Sequence, residues 1–130
     1  MGKVAVLGIF VADAAFRADR MPVMGETILG NSFALGPGGK GSNQAVAAGK
    51  MGAEVAFISA LGADAFAQMA RDMWADAGVT PVIREIADSY TGAAFIYVDE
   101  ATGNNAIIVS PGAAGLIGVD DIARARGEIE

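Results

Sequence analysis

Apolar positions follow two rhythms along the 130 residues. Lys3–Ile9 and Glu54–Leu61 are short, nearly unbroken runs of Val, Ala, Leu and Ile, the pattern of strands buried on both faces of a parallel sheet. "VTPVIREI", from Val79, predicts a third such strand. Between these runs the spacing changes to that of a helix. Asn43–Met51 predicts one helix, with Gly52 at the position that ends it in a left-handed turn. Phe66, Met69, Ala70, Met73, Trp74 and Ala77 share one face of a second, with Asp64 placed to cap its start and Gly78 to end it. That apolar stripe reads as core.

Two stretches do not fit strand–helix alternation. "RMPVMGET" is a loop punctuated by Pro22 and Gly25, and "TILGNSFALG" after it reads as a strand, or as two short ones kinked at Gly30. "TGAAFIYVDEATGNNAIIVSPG" reads as two strands joined through a polar turn at Asp99–Asn105, a hairpin and not a strand–helix unit. "VDDIARARGEIE" starts a further helix, with Arg124 and Arg126 on its solvated face. The order β, ββ, α, β, α, β, ββ, α predicts an α/β protein with a parallel sheet, and the extra strands predict a small sheet apart from it. Three parallel strands are too few for two helices to cover both faces, so the chain reads as the front part of a larger domain.

Composition narrows the function classes. The chain is 53% hydrophobic and 18% charged, as in compact folds. A net charge of −6 is a poor match for nucleic acid or an anionic membrane. With no Cys and no His, disulfides, thiol nucleophiles, histidine triads and most zinc sites are excluded, and a reducing, cytoplasmic setting fits. The N-terminal run Val4–Ala12 is short and Asp13 follows it directly, so it reads as the first strand and not as a secretory leader. Val6 stands where a myristoylation signal needs Ser or Thr.

The densest chemical signal is "GPGGKGSNQAVAAG", Gly36–Gly49. Gly36, Gly38 and Gly41 satisfy the dinucleotide spacing on paper, but the cluster does not follow the first strand and no acid stands at the required distance. A phosphate-binding P-loop would need Gly at 34 and Ser or Thr at 41, where the chain has Ala34 and Gly41. Glycines let backbone approach a ligand closely, and N–H groups at a helix start are unpaired. Lys40 and Asn43 add donors, so the set suits hydroxyls as well as phosphate oxygens; it reads equally well as a structural turn. Asp13 lies just past the first strand, where ligands of open α/β sheets collect, and can accept hydrogen bonds from two neighbouring hydroxyls. A solvated loop acid is the equal alternative.

Taken together, "GGKGSNQAVAAGKMGAEVAFISALGADAF", "LGIFVAD", "PVMGETILGNSF" and "TGAAFIYVDEATGNNAIIVSPGA" resemble, in order and without large gaps, the ribokinase/PfkB family of carbohydrate kinases, most of all its ribokinase branch. The resemblance covers essentially the whole chain. It implies a ribokinase-like three-layer α/β sandwich, of which residues 1–130 are the N-terminal part, with a small β-sheet lid near residues 14–35 and 93–109 that also forms a homodimer interface. It implies transfer of the γ-phosphate of ATP to a sugar hydroxyl, with Mg²⁺ and often K⁺. The family's sugar contacts fall by position on Asp13, Gly39, Lys40, Gly41 and Asn43, so the glycine cluster would hold sugar hydroxyls and not ATP.

Three departures stand out. Val11 replaces the Asn of the family's Asn-x-Asp, which puts ribose as the substrate in question; Ala67 replaces the last Gly of Gly-x-Asp-x-x-Gly. The family's Gly-Ala-Gly-Asp, whose Asp is the catalytic base, has no match; "SPGAAG" at 110–115 lacks the Asp. The 130 residues alone are therefore expected to be inactive as a kinase. The alternatives are a non-catalytic sugar-binding or dimerisation module, and a related kinase acting on a nucleoside or a fructose phosphate.

Overall fold

The structure, a computed structural model, describes residues 2–130. Strands β1 (Lys3–Leu7), β4 (Glu54–Leu61) and β5 (Val79–Glu85) form a parallel sheet in the order β1-β4-β5. Strands β2 (Val11–Ala18), β3 (Ser32–Gly38), β6 (Thr91–Asp99) and β7 (Asn105–Gly112) form a second sheet in the order β3-β2-β6-β7. Its β2–β3 part follows β1 and its β6–β7 part follows β5, so the second sheet is inserted at the carboxyl edge of the first. The antiparallel β6–β7 pair is the expected hairpin; β2 is a strand that the apolar pattern does not predict, β3 begins only at Ser32 and not at Thr27, and the central pair β2–β6 is parallel, which no local hairpin pattern can reveal. Three of the four prolines lie in strands, Pro37, Pro81 and Pro111, and each is on an edge strand. A proline in a central strand would remove a ladder hydrogen bond.

Helices α1 (Lys40–Lys50) and α2 (Ala65–Asp76) cover one face of the parallel sheet. Alternation along β4 sends Val55, Phe57 and Leu61 into that core, against Ala45 of α1 and Ala67, Ala70 and Trp74 of α2. Trp74 is fully buried, packs edge-on against Phe10 at 5.9 Å and tilted against Phe57 at 5.1 Å, and donates its indole N–H to Ser42 Oγ at 2.9 Å. The hydrogen bond allows an amphipathic ring to be fully buried and ties α2 to the first turn of α1. The opposite face, with Ala56, Ile58 and Ala60 also buried, meets a 3-10 turn (Ala113–Leu116) and α3 (Val119–Arg124). Arg84 of β5 reaches across that layer to Asp121 at 3.0 Å and to the Leu116 carbonyl at 2.6 Å. The result is three layers, helix–sheet–helix.

Several expectations change. Among the described residues β1 pairs with β4 alone and is not buried on both faces, with Val4 and Leu7 38% and 49% exposed. Helix α1 begins at Lys40, three residues earlier than its apolar spacing suggests, because Gly39 makes the turn. The last helix is two short pieces, α3 and α4 (Arg126–Ile129), meeting at Ala125. Arg124 is not merely solvated but pairs with buried Asp121, whereas Arg126 is 77% exposed. Gly52 and Gly78 take the positive φ of 91° and 72° foreseen after α1 and α2. No helix among the described residues is long and apolar enough to cross a membrane.

Asp64 does more than cap α2. One carboxylate oxygen accepts from the Ala67 N–H at 2.9 Å, the other from the Thr91 N–H at 2.8 Å, and the Thr91 hydroxyl accepts from the Gly62 N–H at 3.0 Å. Thr91 is the first residue of β6, so this cluster joins the two sheets. Burial alone would push the Asp64 carboxyl up, but the bonds from Thr91 and from the helix start outweigh it and hold it below the ordinary value of 3.8. A depressed carboxyl stabilises the fold above its unfolded pKa, and that stabilisation is lost as pH falls through the folded value. Asp64→Ala is expected to cost about 1–2 kcal/mol at neutral pH, with the gap to wild type closing below pH ~3; urea titrations at both pH values measure it. Ser59 Oγ, buried on β4, has no hydrogen-bond partner. Ser59→Ala is expected to leave stability unchanged or raise it by about 1 kcal/mol, read in the same titrations, because an unsatisfied buried hydroxyl contributes only its desolvation cost.

Candidate functional site

The second sheet folds over the carboxyl edge of the first and leaves a cavity of about 660 Å³ between them. Asp13, Gly39, Lys40, Gly41 and Asn43 all line it, together with Gln44, the end of β1, and apolar side chains of β2, β6 and β7. Residues 26 or more positions apart in sequence thus meet because β3 runs back along β2 and delivers the chain directly into α1.

Asp13 is not in a loop, as its position after the first strand suggested. It lies inside β2, paired with Gly36 on one side and Ala94 on the other, and the pairing fixes its backbone. Alternation aims Val11, Asp13 and Ala15 to one face of this sheet and Ala12, Ala14 and Phe16 to the other. The carboxylate is half-buried, and burial pushes its pKa above the ordinary 3.8, with no hydrogen bond or ion pair among the described residues to offset it. Gly38, beside it on β3, has no side chain because a Cβ there would collide with both carboxylate oxygens.

The opposite wall is the start of α1. Gly39 takes φ 92°, a left-handed conformation that other residues adopt only with strain, and a Cβ on it would strike the Ile9 carbonyl. Gly41 packs so close to the end of β1 that a Cβ would come within 2.9 Å of Gly8 Cα. No side chain caps α1 and no acid lies in its first turn, so its leading N–H groups have no side-chain acceptor. Lys40 adds a positive charge at the end of the helix that already carries the positive dipole, an arrangement unfavourable by about 0.3–1 kcal/mol unless an acceptor faces it. Asn43 is exposed in the same turn, its N–H held by the Gly39 carbonyl at 2.9 Å. Ser42, between them, is turned inward and spent on Trp74.

The cavity therefore opposes a carboxylate acceptor to a cluster of donors, with glycine backbone close to whatever lies between. That arrangement suits neighbouring hydroxyl groups, which both donate and accept. Gln44 was not anticipated, although it follows Asn43 by one position. The roof residues Ala94, Ile96, Ile107 and Val109 were not anticipated either. Their alternation puts them on one face of the β6–β7 hairpin, but only the β2–β6 pairing brings that face over α1. The sheet's outer face is apolar and open: Phe16 stacks on Phe33 at 5.0 Å and on Phe95 at 5.9 Å, and the three are 37–58% exposed. Among the described residues no three His, Cys, Asp or Glu side chains come together as a metal site.

Comparison with known proteins gives the same family as the motifs. The family model described as pfkB family carbohydrate kinase matches residues 1–123. A ribokinase of Haemophilus influenzae is 38% identical over 106 residues, covering 81% of this chain and 35% of that protein. Among solved structures, a ribokinase from Giardia lamblia superposes with a TM-score of 0.85 at 34% identity, over 95% of this chain and 40% of its own length. Arabidopsis thaliana ribokinase, solved with ribose and ATP, gives 0.78 at 32%, over 85% and 36%. The chain thus spans little more than a third of the relatives it matches, over their N-terminal portion. On the family match, the fold and the shared motifs, this chain belongs to the pfkB family of carbohydrate kinases.

Proposed function

We propose that these residues form the sugar-binding part and the lid of an ATP-dependent sugar kinase acting on ribose or a similar carbohydrate. The observation that carries the reading is the convergence of Asp13, Gly39, Lys40, Gly41 and Asn43 on one cavity between the two sheets. In this reading the Asp13 carboxylate accepts from two adjacent sugar hydroxyls. Lys40, Asn43 and the free N–H groups of α1 donate to the sugar oxygens, and the four-stranded sheet is the lid that excludes water. Orientation of this kind is the main thing a phosphoryl-transfer enzyme supplies on the acceptor side. ATP would supply the phosphoryl group. One cation and an apolar roof do not fit a nucleotide polyphosphate, so the reading assigns ATP, Mg²⁺ and K⁺ to residues outside this chain. The open aromatic face of Phe16, Phe33 and Phe95 supports homodimerisation through the lid strands.

Two experiments test the reading. Titrating the isotope-labelled chain with D-ribose is expected to shift the amide signals of Asp13 and Gly39–Asn43, while incubation with ATP and D-ribose is expected to release no ADP. Absence of shifts at any sugar concentration overturns the sugar site; ADP release overturns the assignment of the catalytic base elsewhere. Because Asp13 is held above its ordinary pKa, its ionised form is disfavoured in the folded chain, so its contribution to stability is present at low pH and is lost as pH rises through the folded value. Hydroxyl donors favour the ionised form, so sugar affinity is expected to fall as pH drops through the raised pKa of Asp13. Asp13→Asn is expected to keep or raise stability at neutral pH while weakening sugar binding at least ~10-fold. Gly38→Ala, whose Cβ would displace the carboxylate, is expected to weaken both folding, by about 1–3 kcal/mol, and sugar binding.

A further inference from the structure

The roof of the cavity hangs from one point. Its apolar residues Ala94, Ile96, Ile107 and Val109 all belong to the β6–β7 hairpin. The hairpin enters at Thr91 and leaves at Gly112, and these two residues pair across the ladder. Just outside them the Tyr90 carbonyl accepts from the Ala113 N–H at 2.7 Å. Thr91 is 1% exposed and is held twice by the parallel-sheet frame. Its N–H donates to one Asp64 oxygen at 2.8 Å. Its hydroxyl accepts from the Gly62 N–H at 3.0 Å and also bonds Asp64. The other Asp64 oxygen is fixed by the Ala67 N–H at the start of α2. Gly62 approaches so closely that a Cβ on it would come within 2.7 Å of the Thr91 nitrogen. Bonds to both the backbone and the side chain fix the orientation of Thr91 as well as its position.

Neither Asp64 nor Thr91 lines the sugar cavity, yet the cavity's shape depends on them. Ala94 stands three residues along β6, ~10 Å from the clamp, and Ile96 ~17 Å from it. A tilt of ~6° at Thr91 would move Ala94 by ~1 Å and Ile96 by ~2 Å. Asp13 pairs with Ala94 in the ladder, so its carboxylate moves with the roof. A displacement of ~1 Å is enough to cost ~100-fold where groups must be aligned. Building on the sugar-site reading above, we propose that Asp64 and Thr91 are positioning residues for sugar binding. They touch no substrate; they set the height of Asp13 and of the apolar roof above the donors of α1. A joint that only added stability would leave affinity untouched in any variant that still folds.

The test is the D-ribose affinity of the isotope-labelled chain, read from amide shifts at Gly39–Asn43 beside stability in urea. Thr91→Val keeps the shape and removes the hydroxyl, so the Gly62 N–H loses its partner; D-ribose binding is expected to weaken ~10-fold or more. Thr91→Ser keeps the hydroxyl and is expected to bind as the wild type does. Asp64→Ser retains a capping oxygen for α2 but has only one, so the Thr91 N–H is released, and binding is expected to weaken as in Thr91→Val. Asp121→Asn loosens the Arg84 bridge on the opposite face of the sheet and is expected to lower stability without changing affinity. If either Thr91→Val or Asp64→Ser, once folded, binds D-ribose as tightly as wild type, the proposal is wrong and the sugar site stands. The same holds if Thr91→Ser or Asp121→Asn loses as much affinity as they do. If the folded wild-type chain binds no sugar, the sugar-site reading fails and this proposal fails with it.

Discussion

The whole arrangement depends on how closely the start of α1 can approach the end of β1. Gly8 and Gly41 face each other at a separation that leaves no room for a Cβ on either, and Gly39 turns the chain against the Ile9 carbonyl. This contact sets the tilt of α1 over the parallel sheet. It also brings the uncapped start of the helix to the cavity and β3 back beside β2, with Gly38 opposite Val11 and against the Asp13 carboxylate. Larger residues here would force the helix outward and open the junction of the two sheets. The glycines matter sterically first; the bare backbone they leave lines the cavity for the same lack of side chains.

The second sheet is held to this frame at two kinds of joint. One is apolar: Phe10 and Ala12, where β1 passes into β2, are buried in the same core as Trp74. The other is polar: Asp64 caps α2 and holds the first N–H of β6, while Thr91 accepts from Gly62. The sheet between these joints has one face towards the cavity and one towards solvent. A strand's alternation requires that both faces be decided by a single sequence. Asp13 and Val11 are therefore coupled by strand geometry to Phe16 and Phe33 on the outside. A one-residue slip of β2 would turn Asp13 to the outer face, put an alanine in its place and bring Phe16 to the cavity face.

The site carries the marks of a compromise between stability and binding. Asp13 is desolvated without a partner, Lys40 sits at the wrong end of a helix dipole, and Gly39 is in a conformation only glycine takes easily. The first two cost the fold stability, whereas the third makes the turn into α1; in the proposed function, hydroxyl groups in the cavity would meet all three. By contrast, Ser42, between the cavity-lining Gly41 and Asn43, is committed to the core through Trp74. Adjacent residues on one helical turn thus serve opposite ends.

How much of this was legible from the sequence follows from the range of the interactions. The three parallel strands, α1, α2 with its Asp64 cap and Gly78 stop, and the β6–β7 hairpin are set by local patterns: runs of branched apolar residues, helical spacing, and glycines at positive φ. The glycine cluster and Asp13 stood out locally too, but each read equally well as a structural turn or a solvated acid until the family motifs were matched. What the sequence alone did not determine depends on contacts between distant segments. The parallel pairing of β2 with β6 joins residues some 80 positions apart and leaves no local mark. With it come the apolar roof of the cavity and the placing of Asp13 within a strand. Likewise the exposure of β1 reflects which strands flank it, and the second role of Asp64 reflects what folds against it. Periodicity records which face of an element is apolar. Only the tertiary structure decided what each face meets.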